Sequence, residues 1–223
     1  FLSGVIGIGI SDTLFFMTLE RLGASRTALV DCLYSPFVVL LSFVMLKDTL
    51  AFAVALGGVL ILCSVVVSSQ KTFGVPIPRE RFWSGIALGS LAMATVAFAI
   101  VIVKPLLQEY PLSLTSTVRM AGGIVVLVAS LPLHPNRVEV RAVFRPQRAW
   151  VWFLPGTVLG SYLSIMTWLA GFKYAQTGVA AFLNQTSTVW IVVFAALFLK
   201  EPMTRLKGIA VAMAFAGTMI ILS

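Results

Sequence analysis

The chain has few charged residues for its length and almost none of the residues that bind metals or carry redox chemistry. Only 11% of its 223 residues are charged, and it has one histidine and two cysteines. Cys32 and Cys63 lie inside apolar runs, without the spacing of a metal site. With 59% hydrophobic residues and a mean hydropathy of +1.01, the sequence excludes a soluble domain.

Catalytic motifs are also missing. His134 stands at the end of an apolar run, and the sequence has no GxSxG, HExxH or phosphate-binding loop. Two aspartates within apolar runs, Asp12 and Asp31, raise the alternative of an intramembrane aspartyl protease. That family pairs Tyr-Asp with Gly-x-Gly-Asp, whereas here Val30 precedes Asp31 and Ser11 precedes Asp12. We therefore predict a protein that is not an enzyme and uses no cofactor.

The net charge of +8 does not indicate a nucleic-acid partner. The basic residues lie mostly in short loops between apolar runs, where loop charge orients a membrane protein. Most of them fall on one side of the predicted membrane, which taken alone places that side in the cytoplasm. Lys47, Lys104 and Lys173 fall on the other side, at the ends of apolar runs.

Eight stretches are long and apolar enough to cross a membrane, since a spanning helix needs about 20 mostly apolar residues. They are 1–20, 27–46, 50–69, 83–104, 112–133, 150–172, 177–199 and 204–222. The first is not a signal peptide, because it lacks a basic start and a cleavage site and carries Asp12 in its middle. The predicted fold class is an all-α, polytopic membrane protein.

The first part of the chain recurs 153 positions later, in an alignment without gaps. The identical pairs are Gly7 with Gly160, Ser11 with Ser164, Ala28 with Ala181, Val39 with Val192, Leu46 with Leu199 and Lys47 with Lys200. Each copy holds three of the predicted spans, and two further spans separate the copies. Equivalent spans are therefore five apart, so the second copy crosses the membrane in the opposite sense. Inverted repeats of this kind are typical of secondary transporters.

The repeat divides the chain into a first unit, 1–69, a linker, 70–82, and a second unit, 83–223. The second unit has two opening spans that the first unit lacks. We expect two further helices before residue 1, which makes a helical bundle with eight of ten transmembrane helices in this sequence.

Polar side chains inside the spans identify a candidate site, because such groups are costly in lipid and usually face a cavity or a partner. On the span 27–46, Asp31 and Ser35 share one polar stripe, with Tyr34 at its edge. The aligned span carries matching polar residues: Asn184, Gln185 and Thr188. We predict that the two faces meet at a central cavity. The alternative is that they only form hydrogen bonds with neighbouring helices.

Asp12 and Arg119 are the other ionisable residues well inside spans. Asp12 is a candidate carrier of a coupling proton, or alternatively a fixed ion-pair partner of Arg119. Arg119 either binds an anionic group or extends to the membrane interface. Tyr162 and Trp168 are candidates for stacking on an organic substrate, with packing against lipid or helices as the alternative.

Two segments of the chain follow one pattern: LERLGASRTAL…SPFVVLLSFVMLKDTL (19–50) and LAGFKYAQTGVAAFLNQTSTVWIVVFAALFLKEPMT (169–204). Each has an alanine-rich helix start, a polar or Pro break, and an apolar run that ends in Leu-x-acidic. In this pattern the chain resembles the EamA family of the drug/metabolite transporter superfamily. It departs from the family at Asp48, where glutamate is usual, and at Thr188, where the first copy has Ser35-Pro36.

The resemblance implies a ten-helix, basket-like bundle with a central cavity that moves small metabolites by alternating access. We expect a multi-pass protein of the inner membrane, a monomer or homodimer whose partners are lipid, protons and a small-molecule substrate. Family members commonly export amino acids, drug-like compounds or related metabolites. The family usually has both termini in the cytoplasm, which conflicts with the loop charges, so the orientation stays open. A non-transporting membrane scaffold or receptor is the alternative from another class.

Overall fold

The computed structural model describes residues 1–69, 78–133, 150–198 and 205–222. These ranges fold into helices and contain no strand. The helices are α1 (Leu2–Leu22), α2 (Ala24–Asp31), α3 (Tyr34–Leu46), α4 (Phe52–Ser69), α5 (Arg79–Glu109), α6 (Leu112–Ser130), α7 (Trp150–Tyr174), α8 (Thr177–Phe198) and α9 (Arg205–Leu222). The predicted all-α fold is confirmed.

Length and composition identify the helices that can cross a membrane. Within the described ranges α1, α5, α6 and α7 are long and apolar enough to do so. Shorter apolar helical stretches are Tyr34–Leu46, Phe52–Ser64 and Gly208–Ile221. Each of these overlaps a stretch that the sequence predicts to span the bilayer, and α1, α5 and α7 extend beyond theirs. The protein is an all-α membrane protein.

α5 is longer than the predicted span 83–104. It begins at Arg79, directly after Pro78, and runs through Pro105 to Glu109. It ends there because Tyr110 precedes Pro111 and takes an extended conformation, which a following proline favours. The last part of the predicted linker 70–82 is therefore helical, and 70–77 lies outside the described residues.

The extra length of α5 changes the place of Lys104, which lies inside the helix and is buried rather than at a loop. Its Nζ donates to the carbonyl oxygens of Phe172, at 2.5 Å, and Ala175, at 2.6 Å. These carbonyls lie at the C-terminal end of α7, where a cation is favourable. Nearby, the Thr177 hydroxyl donates to Asp48 Oδ2 at 2.7 Å. The two contacts join one end of α5, α7 and α8 to the segment after α3.

The predicted span 27–46 is not one helix but two, α2 and α3, separated by a turn at Cys32 and Leu33. Pro36 explains the break. A proline inside a helix lacks the N–H, and its ring clashes with the carbonyl four residues earlier, here that of Cys32. In the aligned helix α8 a valine stands at this position, and the helix is continuous.

The aligned helices α1 and α7 share a local irregularity. A π-helical segment occupies Val5–Ile10 in α1 and Val158–Leu163 in α7. The two segments are offset by the same 153 positions as the sequence repeat. Such segments are rare and frequently occur at functional sites. The two copies therefore share backbone detail that their weak identity does not reveal.

Aligned helices also contact each other across the repeats. α4 packs extensively on α9, and α3 packs on α8 as well as on α5. The buried positions of α9 include Ala210, Ala214 and Gly217. Shifted by 153 positions, these correspond to Gly57, Ile61 and Ser64, which are buried on α4. Each helix thus buries the same face against the other, as in a self-complementary contact around a two-fold axis.

Candidate functional site

A central cavity lies within the bundle and has two adjoining parts. The larger part, about 520 Å³, is lined by Gly7, Ile8, Asp12, Val96, Arg119, Ser164, Ile165, Thr167, Trp168 and Asn184. The smaller part, about 230 Å³, is lined by Ser11, Asp12, Phe15, Asp31, Tyr34, Met93, Val96, Trp168 and Asn184. Because both parts share Asp12, Val96, Trp168 and Asn184, they form one site with two chambers.

The repeat places matched residues around this cavity. Asp31 and Asn184 are aligned in the two copies, and both line the smaller part. Asp12 lies two residues after the π-helical segment of α1, and Ser164 directly follows the π-helical segment of α7. The irregular backbone therefore lies next to the cavity in both copies, which is typical of transporter sites built at a repeat interface.

Arg119 is the largest fully buried side chain among the described residues, with 2% of its surface exposed. Its Nη1 donates to the Ser3 hydroxyl and, at 3.4 Å, to the carbonyl oxygen of Ala99. The guanidinium carbon lies 5.8 Å from the ring centroid of Trp168, within the range of a cation–π contact. Arg119 therefore does not extend to the membrane interface. In the described part of the chain it also forms no ion pair with Asp12, although both line the larger part.

Glycines hold the backbone of α6 close to α1 at this arginine. A Cβ at Gly4 would overlap the carbonyl oxygen of Arg119, and a Cβ at Gly122 would lie 2.6 Å from the carbonyl oxygen of Phe1. Small residues at such contacts let membrane helices approach closely. This close approach brings Ser3 of α1 within reach of the Arg119 side chain. It also fixes the position of Arg119 relative to Asp12, which lies on α1 as Ser3 does.

The turn between α2 and α3 brings Asp31 and Tyr34 to the cavity. The backbone carbonyl of Asp31 accepts a hydrogen bond from Gln185 Nε2 at 3.2 Å. A neighbouring helix thus satisfies a backbone group beside the break, as membrane interiors require. The Tyr34 ring lies 6.4 Å from that of Trp168, and its buried hydroxyl has no hydrogen-bond partner within the described residues.

Ser35 and Gln185, two of the predicted site residues, join α8 to α3 and to the end of α2, respectively. Ser35 is buried and donates to the carbonyl oxygen of Ala181 at 2.9 Å. Gln185 is also buried, with the bond to Asp31 described above. Tyr162 is 37% exposed on α7 and is not part of the cavity lining given above. The side chain of Thr188 lies outside the described residues.

The structure therefore brings together at one cavity six of the residues that the sequence singles out: Asp12, Asp31, Tyr34, Arg119, Trp168 and Asn184. Sequence reasoning missed Ser3, which lies 116 positions from its partner Arg119. It also missed the apolar lining residues Phe15, Met93 and Val96. The dense glycines of α1 are the one sequence signal that could have placed α1 against α6.

Helices long enough to span a membrane, packed around a cavity with carboxylates, an arginine and aromatic walls, define a multi-pass membrane protein with an internal polar site. The EamA-like transporter family matches residues 1–70 and 83–223. The chain belongs to this family, and it is a membrane transporter of the drug/metabolite transporter type.

One curated protein agrees with this assignment, and one solved structure shares the fold. An uncharacterized transporter of Archaeoglobus fulgidus is 26% identical over 200 residues, which are 90% of this chain and 66% of the relative. A solved structure titled only "Crystal structure of protein" has a TM-score of 0.81 at 17% identity. That likeness covers 99% of this chain and 76% of the other, and at this identity it shows the fold alone. The present chain thus spans about two thirds of its Archaeoglobus relative.

Proposed function

We propose that the protein exports a small organic metabolite across the inner membrane by alternating access, with the central cavity as the solute site and protons as the coupling ion. The observation that carries this proposal is the pair of carboxylates, Asp12 and Asp31, at one intramembrane cavity. Carboxylates are costly inside a membrane, and in transporters they mark solute and proton pathways.

The geometry of the cavity supports a site for solute rather than a packing defect. It combines charged groups with aromatic side chains, Phe15, Tyr34 and Trp168, which suits an organic molecule with polar and apolar parts. It also lies at the break between α2 and α3. Discontinuous helices near the membrane midplane form the solute sites of many secondary transporters.

The contacts between the repeats support alternating access. Among the described side chains, the hydrogen bonds that join α8 to α2 and α3 are those of Gln185 to Asp31 and of Ser35 to Ala181. A rocking motion of one repeat against the other would need to exchange few such bonds. This is the movement that inverted repeats commonly perform around a fixed site.

The test is solute flux in proteoliposomes that contain the full-length protein, with a metabolite panel and an imposed proton gradient. We expect flux of at least one class of organic solute, faster when the gradient drives protons against the solute. An Asn184→Leu variant narrows the cavity and should reduce this flux, whereas Tyr162→Leu should not. Absence of flux for every class, with cavity variants indistinguishable from wild type, would favour a non-transporting scaffold or receptor.

A further inference from the structure

Three buried polar atoms have no hydrogen-bond partner in the described part of the chain. They are the Tyr34 hydroxyl, the Ser116 hydroxyl and Nε of Arg119. A buried polar group without a partner costs free energy, and a charged group costs more than a neutral one. A bound molecule that supplies the missing partner would remove this cost.

The charge of Arg119 is also incompletely compensated. The partners of its Nη1 are a hydroxyl and a backbone carbonyl, both neutral. The Trp168 ring offsets part of the charge through its π face. Asp12 lines the same chamber but forms no ion pair with Arg119 in the described ranges. A buried cation in a membrane usually pairs with an anion or with several carbonyls.

The three atoms have one kind of chemistry, and two of them belong to side chains that contact the same ring. Arg119 and Tyr34 both contact Trp168, at 5.8 Å from the guanidinium carbon and at 6.4 Å between rings. Ser116 lies three residues before Arg119 on α6, so both project from the same side of that helix. An Nε–H and two hydroxyls are all able to donate a hydrogen bond.

We propose that Nε of Arg119 and the Tyr34 hydroxyl, with the Ser116 hydroxyl beside the arginine, form an anion subsite of the carboxylate-binding kind. Donors on a guanidinium and a phenol suit an oxyanion, because charge-assisted hydrogen bonds are the strong ones. This inference deepens the proposed function: the solute is an organic acid or a zwitterion with a carboxylate, not a purely cationic compound. The same chemistry also accepts a free inorganic anion, which the experiment distinguishes.

The experiment measures binding, not transport. The unfolding midpoint of the purified full-length protein is measured by heating in detergent. The samples contain acetate, chloride, or ethylammonium as a cation of similar size to acetate. A salt of bulky ions keeps the ionic strength constant and serves as the reference. Acetate should raise the unfolding midpoint in a saturable manner, because a ligand of the folded state stabilises it by mass action. Ethylammonium should not compete with acetate.

Tyr34→Phe is the decisive variant, because it removes a hydroxyl that has no partner and keeps the ring. Without ligand its unfolding midpoint should equal or exceed that of wild type. Its affinity for acetate should fall about tenfold or more, the usual effect of losing a hydrogen bond to a charged group. Tyr162→Phe removes an exposed hydroxyl and should leave acetate binding unchanged. Arg119→Lys keeps the charge but loses Nε, and should bind acetate more weakly than Tyr34→Phe.

The outcomes distinguish a solute carboxylate from a free anion as the ligand. They also distinguish failure of the anion subsite from failure of the proposed transport. A Tyr34-dependent effect of acetate but not of chloride assigns the subsite to the carboxylate of a solute. An equal, Tyr34-dependent effect of chloride assigns it to a free anion. If neither anion shifts the midpoint, or if Tyr34→Phe keeps the full shift, the subsite does not exist. Flux of purely cationic solutes without any anion effect overturns the subsite alone, whereas anion binding without flux overturns transport alone.

Discussion

Gly57 on α4 and Gly217 on α9 occupy reciprocal positions. A Cβ on either glycine would lie 2.6 Å from the carbonyl oxygen of the other. The neighbours repeat the relation, because Ile221 lies beside Gly57 and Ile61 lies beside Gly217. The two helices therefore run antiparallel with their backbones in contact. Since α4 and α9 are aligned helices of the two copies, this is the contact that an inverted repeat produces on its two-fold axis.

The reciprocal contact leads to a stability prediction. Gly57→Ala and Gly217→Ala should each lower the free energy of unfolding by about 1–3 kcal/mol, the usual cost of overpacking. The added methyl meets a backbone oxygen, which cannot move aside as a flexible side chain can. Equilibrium unfolding in mixed micelles measures the change. Gly208→Ala is the matched control on α9, where a Cβ meets nothing within 4 Å, and it should be neutral or stabilising by up to about 1 kcal/mol.

Lys104 gives a second stability prediction. Lys104→Met keeps the length of the side chain but leaves the carbonyl oxygens of Phe172 and Ala175 without their donor. The expected loss is about 2 kcal/mol, because unsatisfied buried carbonyls retain their desolvation cost. Lys173→Met is the control. Its ammonium makes an exposed bond to Tyr110 at 2.8 Å, so its loss should stay within about 0.5 kcal/mol. Equal losses in the two variants would contradict the capping role of Lys104.

The break between α2 and α3 leads to the prediction that straightening it raises stability and slows transport. Pro36→Ala restores a backbone N–H and removes the ring that would clash with the Cys32 carbonyl in a continuous helix, where a proline costs about 3 kcal/mol or more. We expect a higher unfolding midpoint together with slower flux, since the turn that carries Asp31 to the cavity is straightened. Pro105→Ala is the control within α5, away from the cavity lining, and it should leave flux unchanged. Faster flux in Pro36→Ala would show that the break is not needed.

Coupling to protons is tested at Asp12 and Asp31. A carboxylate can take up a proton on one side of the membrane and release it on the other, whereas an amide cannot. An opposed proton gradient should therefore accelerate solute export by wild type, and the Asp→Asn variant of the carrier should lose this acceleration while still moving solute down its own gradient. Asp48→Asn is the control, because its carboxylate bonds Thr177 outside the cavity. An unchanged response in both single variants and the double variant excludes the two residues as carriers.

The sequence predicted the helices better than their irregularities. Hydropathy located every described span, because a continuous run of about 20 mostly apolar residues is typical of a membrane-spanning helix. It did not show that α5 continues through Pro105 to Glu109, since a proline commonly ends or kinks a helix. The break at Cys32 could have been predicted from Pro36 by the clash with the residue four positions earlier. The π-helical segments have no comparable signal in Val5–Ile10.

The candidate site was predictable where a polar group stands alone in an apolar span. Asp12, Asp31 and Arg119 were found in this manner, because each is too costly to face lipid. Which groups pair was not predictable: Arg119 bonds Ser3 rather than an aspartate, a choice set by the close approach of two helices distant in the chain. The sequence also did not show which polar residues of α3 reach the cavity. Ser35 forms a hydrogen bond with α8, whereas Tyr34 lines the cavity.

The glycine contact between α1 and α6 has a consequence for motion. Because the two backbones touch at Gly4 and Gly122, we expect α1 and α6 to move together during transport. Asp12 lies on α1 and Arg119 on α6, so in the proposed transport cycle their spacing should stay constant. We expect the opposite wall of the cavity, formed by Trp168 and Asn184, to be the part that moves. The proposed solute would then lie between a fixed charged face and a moving face that carries an aromatic ring and an amide.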